Sequence, residues 1–303
     1  REIDTQLRGE GVPPETELAL LQSRNWLDGQ VARLRLLLES FDEDLVEWPV
    51  ERSQDRAGTT LPFKTVSVQS FAEPLLFSRA QRVLMLSATI LDPETYLASL
   101  GIDPEQAEVV RMESDLPAEK LPIGVRPSAR LTRHHLDEGL PRLAAAVAEI
   151  IEEHPFEKGI VHAHSYRISR YLAENLPRRL GERLVTHVDA AGRDAALERH
   201  VLSSEPTVLL TPSMTEGIDL ADDLSRWQVI CKIPYPFLGD PQVQKRRAAD
   251  PAWYDWRTAL TVVQAYGRSV RSRDDYAVTY LLDADFPAFL RRQSRRLPLW
   301  FRE

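Results

Sequence analysis

Apolar residues alternate along this chain between two spacings, and the spacing sets the expected elements. Over "ETELALLQSRNWLDGQVARLRLLLES", residues 15–40, Leu18, Leu21, Leu27, Val31, Leu34 and Leu38 recur at helical intervals. That predicts a long amphipathic helix whose partner surface lies elsewhere. "LVEWPVER" and "LPFKTVSVQS" then read as strands, the second alternating after its proline. "RVLMLSATI", residues 82–90, is a continuous apolar run ending in small hydroxylated residues, the expected look of a buried parallel strand reaching its carboxyl-end loop.

From residue 92 the alternation becomes regular. A helix near "PETYLASL" precedes an extended "AEVVRM", and a Pro-rich loop leads to a helix over 136–153. Strands are expected at 158–163, 183–188, 206–211, 226–233 and 276–282. Helices are expected at 165–176, 192–203, 252–272 and 286–296. Short loops between alternating helices and apolar strands predict an α/β fold, a parallel sheet covered on both faces. The boundary suggested by the pattern falls near residue 91.

Composition narrows the class. With 43% hydrophobic and 28% charged residues, the 303-residue chain is balanced as a soluble globular protein. No apolar run approaches a membrane span, and the first residues lack a signal-peptide core, so the expectation is an intracellular, cytoplasmic protein with no membrane partner. The single cysteine, Cys231, excludes internal disulfides and any cysteine-built metal or iron–sulfur site within this chain. The net charge of −8 argues against a uniformly basic coat. Yet residues 241–303 carry 12 Lys and Arg against 7 Asp and Glu, an asymmetry that marks docking of an anionic ligand.

Candidate chemistry sits where strands end. "HAHSY" closes one strand and opens a helix: Ser165 suits an N-cap, or Ser165 and Tyr166 meet a phosphate at the helix N-terminus. His162 and His164 share a strand face, as a metal pair would, with no third ligand beside them. In "TPSMTEGIDLADD", Gly217 permits a tight turn or a close approach, flanked by Glu216 and Asp219; the same residues also make an ordinary acidic turn. In "VVQAYGRSVRSRDD", Gln264, Arg268 and Arg271 fall at i, i+4 and i+7, on one face if the helix runs through. A guanidinium pair with an amide suits the γ-phosphate of a nucleotide during hydrolysis. Taken alone, the same pattern is also a helix packing Val262, Val263 and Ala265 while solvating its arginines.

Taken in order, "LSATI", "HSY", "TEGID" and "QAYGRSVR" resemble successive motifs in the C-terminal half of superfamily 2 helicases, and more narrowly the XPD/DinG family of DNA helicases. "PYPFLGDPQ" and "LLDADF" are similar to that family's segments, and the resemblance covers about residues 66–300. It implies that residues 92–303 form the second RecA-like motor domain. It also implies that 46–91 carry strands from the end of the first, and that 1–45 end an arch-like helical insertion. By the same resemblance Arg271 is the arginine finger, Arg268 its companion, and Gln264 faces ATP. Glu216, Gly217 and Asp219 line the nucleotide cleft or link it to the DNA groove, Ser165 and Tyr166 touch the single-stranded DNA backbone, and Ser87 and Thr89 couple hydrolysis to strand movement. The family translocates 5′ to 3′, which implies a nucleoid-associated role in DNA repair or related processes.

The sequence holds no G-x-x-x-x-G-K-[ST] and no Gly-Lys pair, so the phosphate cradle and the carboxylate that holds Mg²⁺ are not in it. The chain is therefore expected to be inactive alone, with ATP, Mg²⁺ and any iron–sulfur cluster depending on a missing N-terminal motor domain. Three other readings remain open: a non-catalytic nucleic-acid-binding scaffold, an RNA helicase of the same architecture, and a metal-dependent hydrolase built on His162 and His164.

Overall fold

The computed structural model describes residues 13–40, 53–55, 58–60, 64–112, 117–187, 189, 191–212, 220–267, 269–270, 272–298 and 301. The chain divides into two compact units, residues 1–67 and 68–303.

In the first unit, helix α1 (Pro14–Ser40) matches the expected periodic segment and opens with Glu15 and Glu17 against the positive end of its dipole. Its apolar positions stay largely open, among them Leu18, Trp26 and Leu34. Strands β1 (Ser53–Asp55) and β2 (Gly58–Thr60) form a short antiparallel hairpin. "LVEWPVER" lies outside the described residues. "LPFKTVSVQS" is not a strand where it is described: Lys64–Val68 is irregular, and helix α2 (Gln69–Leu75) begins at its end.

The second unit is built on six parallel strands. These are β3 (Ile123–Ala129), β4 (Gly159–His162), β5 (Leu184–Thr186), β6 (Val208–Thr211), β7 (Trp227–Ile230) and β8 (Val278–Asp283), in the spatial order β3-β8-β7-β4-β6-β5. The central strands are buried throughout, as their unbroken apolar runs require of a sheet covered on both sides. One face packs on helices α4 (Leu136–Glu153), α5 (Tyr166–Asn175) and α6 (Arg178–Gly181), joining Leu143, Val147 and Ile151 to Val161, Leu210, Val229 and Leu282. The other face meets α7 (Arg193–Leu202) through Ile160, Val185 and Leu209. It meets α9 (Pro251–Tyr266) and α10 (Phe286–Gln293) through Ile230 and Leu281. Helices α3 (Pro93–Leu100) and α8 (Pro241–Ala249) complete the set named here. The result is an α/β, RecA-like sheet flanked by helices.

Arg183 ties the approach to β4. Its guanidinium donates to the carbonyls of Ile151, His154, Glu157 and Pro206 at 2.7–3.1 Å, taking up carbonyls that the end of α4 leaves without helical partners. Far along the chain, the N-cap of α3, Asp92, pairs with Arg296 at 2.8 Å.

Three expectations are corrected. The run 82–90 forms no strand: it is irregular, and Leu84 and Leu86 are more than 80% exposed, with no neighbouring strand beside it among the described residues. "AEVVRM", read as extended, pairs with no strand, and Val110 and Met112 are open to solvent. The expected helix 252–272 stops at Tyr266, and an unexpected helix, α8, precedes it. Strand β3 falls within what was read as a Pro-rich loop. It is an edge strand, where Pro127 costs no ladder hydrogen bond, and its pairing with β8 shifts register between Val125 and Ala129. No described helix is long and apolar enough to cross a membrane.

Candidate functional site

Parallel strands direct all their carboxyl ends to one edge, and in open α/β sheets that edge holds ligands. Here it presents His187 after β5, Thr211 ending β6, His162 ending β4, Lys232 after β7 and Asp283 ending β8. His187 meets the Thr211 hydroxyl at 3.3 Å through Nε2 and the Asp189 carbonyl at 2.7 Å through Nδ1. Asp283 accepts the backbone N–H groups of Ile233 and Asp285, and burial raises its pKa against those bonds. Lys232, beside it, is held below the ordinary ammonium value by burial.

His162 and His164 stack with centroids 5.9 Å apart and planes 18° from parallel. No group of three or more His, Cys, Asp or Glu able to hold a metal gathers among the described residues. His164 adopts φ +50°, and its Nε2 is shut off from solvent without a described hydrogen-bond partner. Burial, with the Lys232 charge second, lowers its pKa to about 4. His200, within α7, is also lowered to about 4, chiefly by burial. Its Nε2 donates to the Leu224 carbonyl and its Nδ1 accepts from Thr207. Both histidines fold neutral, whereas the unfolded chain takes up their protons near pH 6.5. Stability therefore falls as pH drops from 6.5 towards 4, by roughly 1 kcal/mol per pH unit for each histidine, and levels off below. Thermal midpoints measured at pH 7.5, 6.5, 5.5 and 4.5 test this, and a flat profile over that range contradicts it.

Ser165 is the N-cap of α5: its hydroxyl accepts from Ile168 N at 3.5 Å while its carbonyl starts the helix at Ser169. Tyr166 opens the helix about half-exposed, free to offer its ring face. The N-cap reading of Ser165 thus holds.

Gln264 sits in the last turn of α9, half-buried, and its Nε2 donates to the Thr89 hydroxyl at 3.5 Å. Thr89 in turn offers its N–H to the Ser87 hydroxyl at 3.2 Å. Trp256, two turns earlier on α9, donates to the Ile90 carbonyl at 2.8 Å and fixes the same segment. The structure thus brings together three expected residues, Ser87, Thr89 and Gln264, from positions far apart in sequence. Arg268, Arg271, Glu216, Gly217 and Asp219 lie outside the described residues. The helix itself does not carry Gln264, Arg268 and Arg271 on one face, because it ends at Tyr266 and Gly267 is its C-cap, with φ −74° and ψ 19°.

Sequence reasoning passed over the groups that hold this helix end. Gln228, in the middle of β7, donates to the Tyr266 carbonyl at 2.6 Å and the Thr279 hydroxyl at 2.7 Å. The Tyr266 hydroxyl donates to the Leu121 carbonyl at 2.6 Å, and Ser225 meets Ser269 at 2.7 Å. The signal was present in "RWQVICKI": a glutamine inside an otherwise apolar buried run needs a partner to offset its dehydration.

Residues 147–303 match the family model described as helicase C-terminal domain. Among curated proteins, the chain is similar to regulator of telomere elongation helicase 1 homologs. It is 32% identical over 102 residues to that of Drosophila virilis and 34% identical over 102 residues to that of Drosophila grimshawi. Each match takes in 29% of this chain and 10% of the relative, so the chain spans about a tenth of the length of these relatives. Two solved XPD structures share the fold. One, the apo form, has a TM-score of 0.58 at 18% identity, covering 94% of this chain and 61% of that one. The other, the XPD helicase, has a TM-score of 0.60 at 16% identity, covering 97% and 58%.

Proposed function

The chain belongs to the helicase C-terminal domain family, and from that premise we propose that it is the second motor domain of an XPD/DinG-like, ATP-dependent 5′ to 3′ DNA helicase. Its task is to close one side of a cleft in which ATP is hydrolysed and to carry part of the single-stranded DNA track. The observation that carries this reading is the hydrogen bond from Gln264 to Thr89. It joins the helix leading to the two arginines to the segment whose Ser87 and Thr89 the resemblance assigns to coupling.

In the proposed reaction water displaces ADP from the γ-phosphoryl group of ATP. Negative charge spreads over the transferred oxygens, so the protein's task is positioning and charge stabilisation. Arg271 supplies a permanent positive charge to those oxygens, Arg268 reinforces it, and Gln264 orients the polar groups around them. Glu216, Gly217 and Asp219 serve the same nucleotide or link its site to the DNA track. Mg²⁺, when bound, neutralises phosphate charge; its carboxylate and the phosphate cradle come from sequence outside these 303 residues. An iron–sulfur cluster does not fit this chain, whose one cysteine is buried and has its thiol pKa driven up by that burial. At the α5 N-terminus a DNA phosphate meets backbone N–H groups beside Ser165, and the open Tyr166 ring stacks on a base.

The test compares ATP turnover by the 303-residue chain with turnover by the full-length protein, each with single-stranded DNA or RNA of matched sequence. The expected result is no turnover by the chain alone and DNA-stimulated turnover by the full-length protein. Robust hydrolysis by the 303 residues refutes the shared cleft, stimulation by RNA alone favours an RNA helicase, and no hydrolysis by either favours a scaffold.

A further inference from the structure

Helix α9 ends without the usual device. Its C-cap glycine stays out of the left-handed region, and a Cβ at Gly267 would meet only the Val263 carbonyl at an ordinary 3.6 Å. The last carbonyls of a helix lack helical partners. Here the Tyr266 carbonyl is taken by the side-chain amide of Gln228, reaching across from the sheet. Gln228 is fully buried, and its Oε1 has no described hydrogen-bond partner, a dehydrated carbonyl left uncompensated. On this face of the sheet Gln228 stands opposite Thr279, whose hydroxyl also accepts from its amide, with aliphatic Ile230 and Leu281 beyond. An aliphatic residue at 228 would leave the Tyr266 carbonyl without this donor.

Three residues further on, the chain is held again. Ser225 has one hydroxyl proton and gives it to the Trp227 carbonyl at 3.2 Å, so in the 2.7 Å contact Ser269 is the donor and Ser225 the acceptor. Both serines are wholly buried, and Val270 is buried beside Ser269. The backbone is therefore fixed at Tyr266 and again at Ser269–Val270. Arg268 lies between the two holds in sequence, and Arg271 immediately follows the second.

We infer that Gln228 and the Ser225–Ser269 pair are positioning residues that brace the exit of α9 at Tyr266 and Ser269, the two holds between and after which Arg268 and Arg271 follow in sequence. The inference rests on the proposed nucleotide role of those arginines. Charge stabilisation of a phosphoryl group depends on pre-set geometry, and a displacement of about 1 Å can cost on the order of 100-fold in rate. A segment anchored only by solvated helix-end carbonyls would sample such displacements freely.

Two substitutions separate bracing from simple stability. Ser269→Ala removes the donor while leaving Ser225 bonded to the Trp227 carbonyl. Gln228→Met keeps length and volume, discards the orphaned oxygen, and releases the Tyr266 carbonyl. In the full-length protein each is expected to lower DNA-stimulated kcat about ten-fold or more, with KM for ATP unchanged. Hydrogen exchange should quicken across residues 266–271 while the sheet stays protected. Unchanged kcat, or unchanged exchange at 266–271, overturns the inference. So does a loss of kcat accompanied by faster exchange throughout the sheet, which marks general unfolding. Arg271→Ala is measured alongside. If that variant keeps full turnover, the nucleotide role itself is wrong and the brace loses its purpose. If it is crippled while Ser269→Ala and Gln228→Met are not, the brace alone is wrong.

Discussion

Arg271→Ala is expected to lower the proposed DNA-stimulated ATP turnover of the full-length protein by about 1,000-fold or more, with thermal unfolding and single-strand binding unchanged. The size follows from what a finger arginine does. The γ-phosphoryl group leaves ADP as a loosely bonded, strongly negative species, and a positive charge placed on its oxygens in a water-poor cleft is worth about 4 kcal/mol of barrier. Arg271→Lys should recover little, because a single ammonium lacks the planar fork that spans two oxygens. Steady-state hydrolysis with saturating single-stranded DNA measures the loss. A drop of less than about ten-fold would put Arg271 outside the reaction and leave the helicase assignment resting on family and fold.

Gly159→Ala prevents this domain from folding stably. Gly159 stands opposite Trp227 in the parallel ladder, and a Cβ there would lie 2.1–2.5 Å from three atoms of the indole ring. The ring has no room to retreat. It is fully buried, stacked 5.3 Å from His154, and bonded through Nε1 to the Glu157 carbonyl at 3.4 Å. Overpacking of a tight core usually costs about 1–3 kcal/mol, and a clash this deep between two central strands belongs at or above the upper end. Urea denaturation followed by Trp fluorescence should show a midpoint far below wild type, or no cooperative transition. Gly159→Ala with a Trp227→Leu partner should recover part of the loss. A near-normal midpoint for the single variant would mean that β4 and β7 separate more easily than their burial implies.

Much of this architecture was legible because burial imposes a pattern on sequence. The helix over 136–153 buries Leu136, Leu140, Leu143, Val147, Ile150 and Ile151 on one stripe, and that periodicity is visible in the letters alone. The runs "GIVH" and "VLLT" are apolar at nearly every position because both faces are covered. The same logic misread "RVLMLSATI": an apolar run shows that a segment needs a neighbour and does not show that the neighbour is present. Strand β3 escaped because edge strands tolerate what central strands exclude, here Gly124, Pro127 and three exposed residues in a row. The start of α9 was legible in "ADPAW", where Asp250 caps Trp253 N and Pro251 fits the first turn, whereas α8 before it buries no residue and so leaves no apolar stripe in the sequence.

The site was half legible. The resemblance gave Gln264 and Thr89 separate roles, and their direct contact is visible only in the structure. The buried amide and the paired serines behind them carry no motif, since their meaning depends on partners 38 to 51 residues away.

The irregular run from Arg82 to Leu86 leaves its backbone N–H and C=O groups without strand partners among the described residues, with Val83, Leu84 and Leu86 facing water. Such a segment is an open template on which another extended chain can be laid down. For the 303 residues as a separate polypeptide, solubility is then set by how often two such templates meet rather than by the well-packed sheet. Concentration becomes the variable that governs aggregation, and a charge at Leu84 is the least disruptive way to block it.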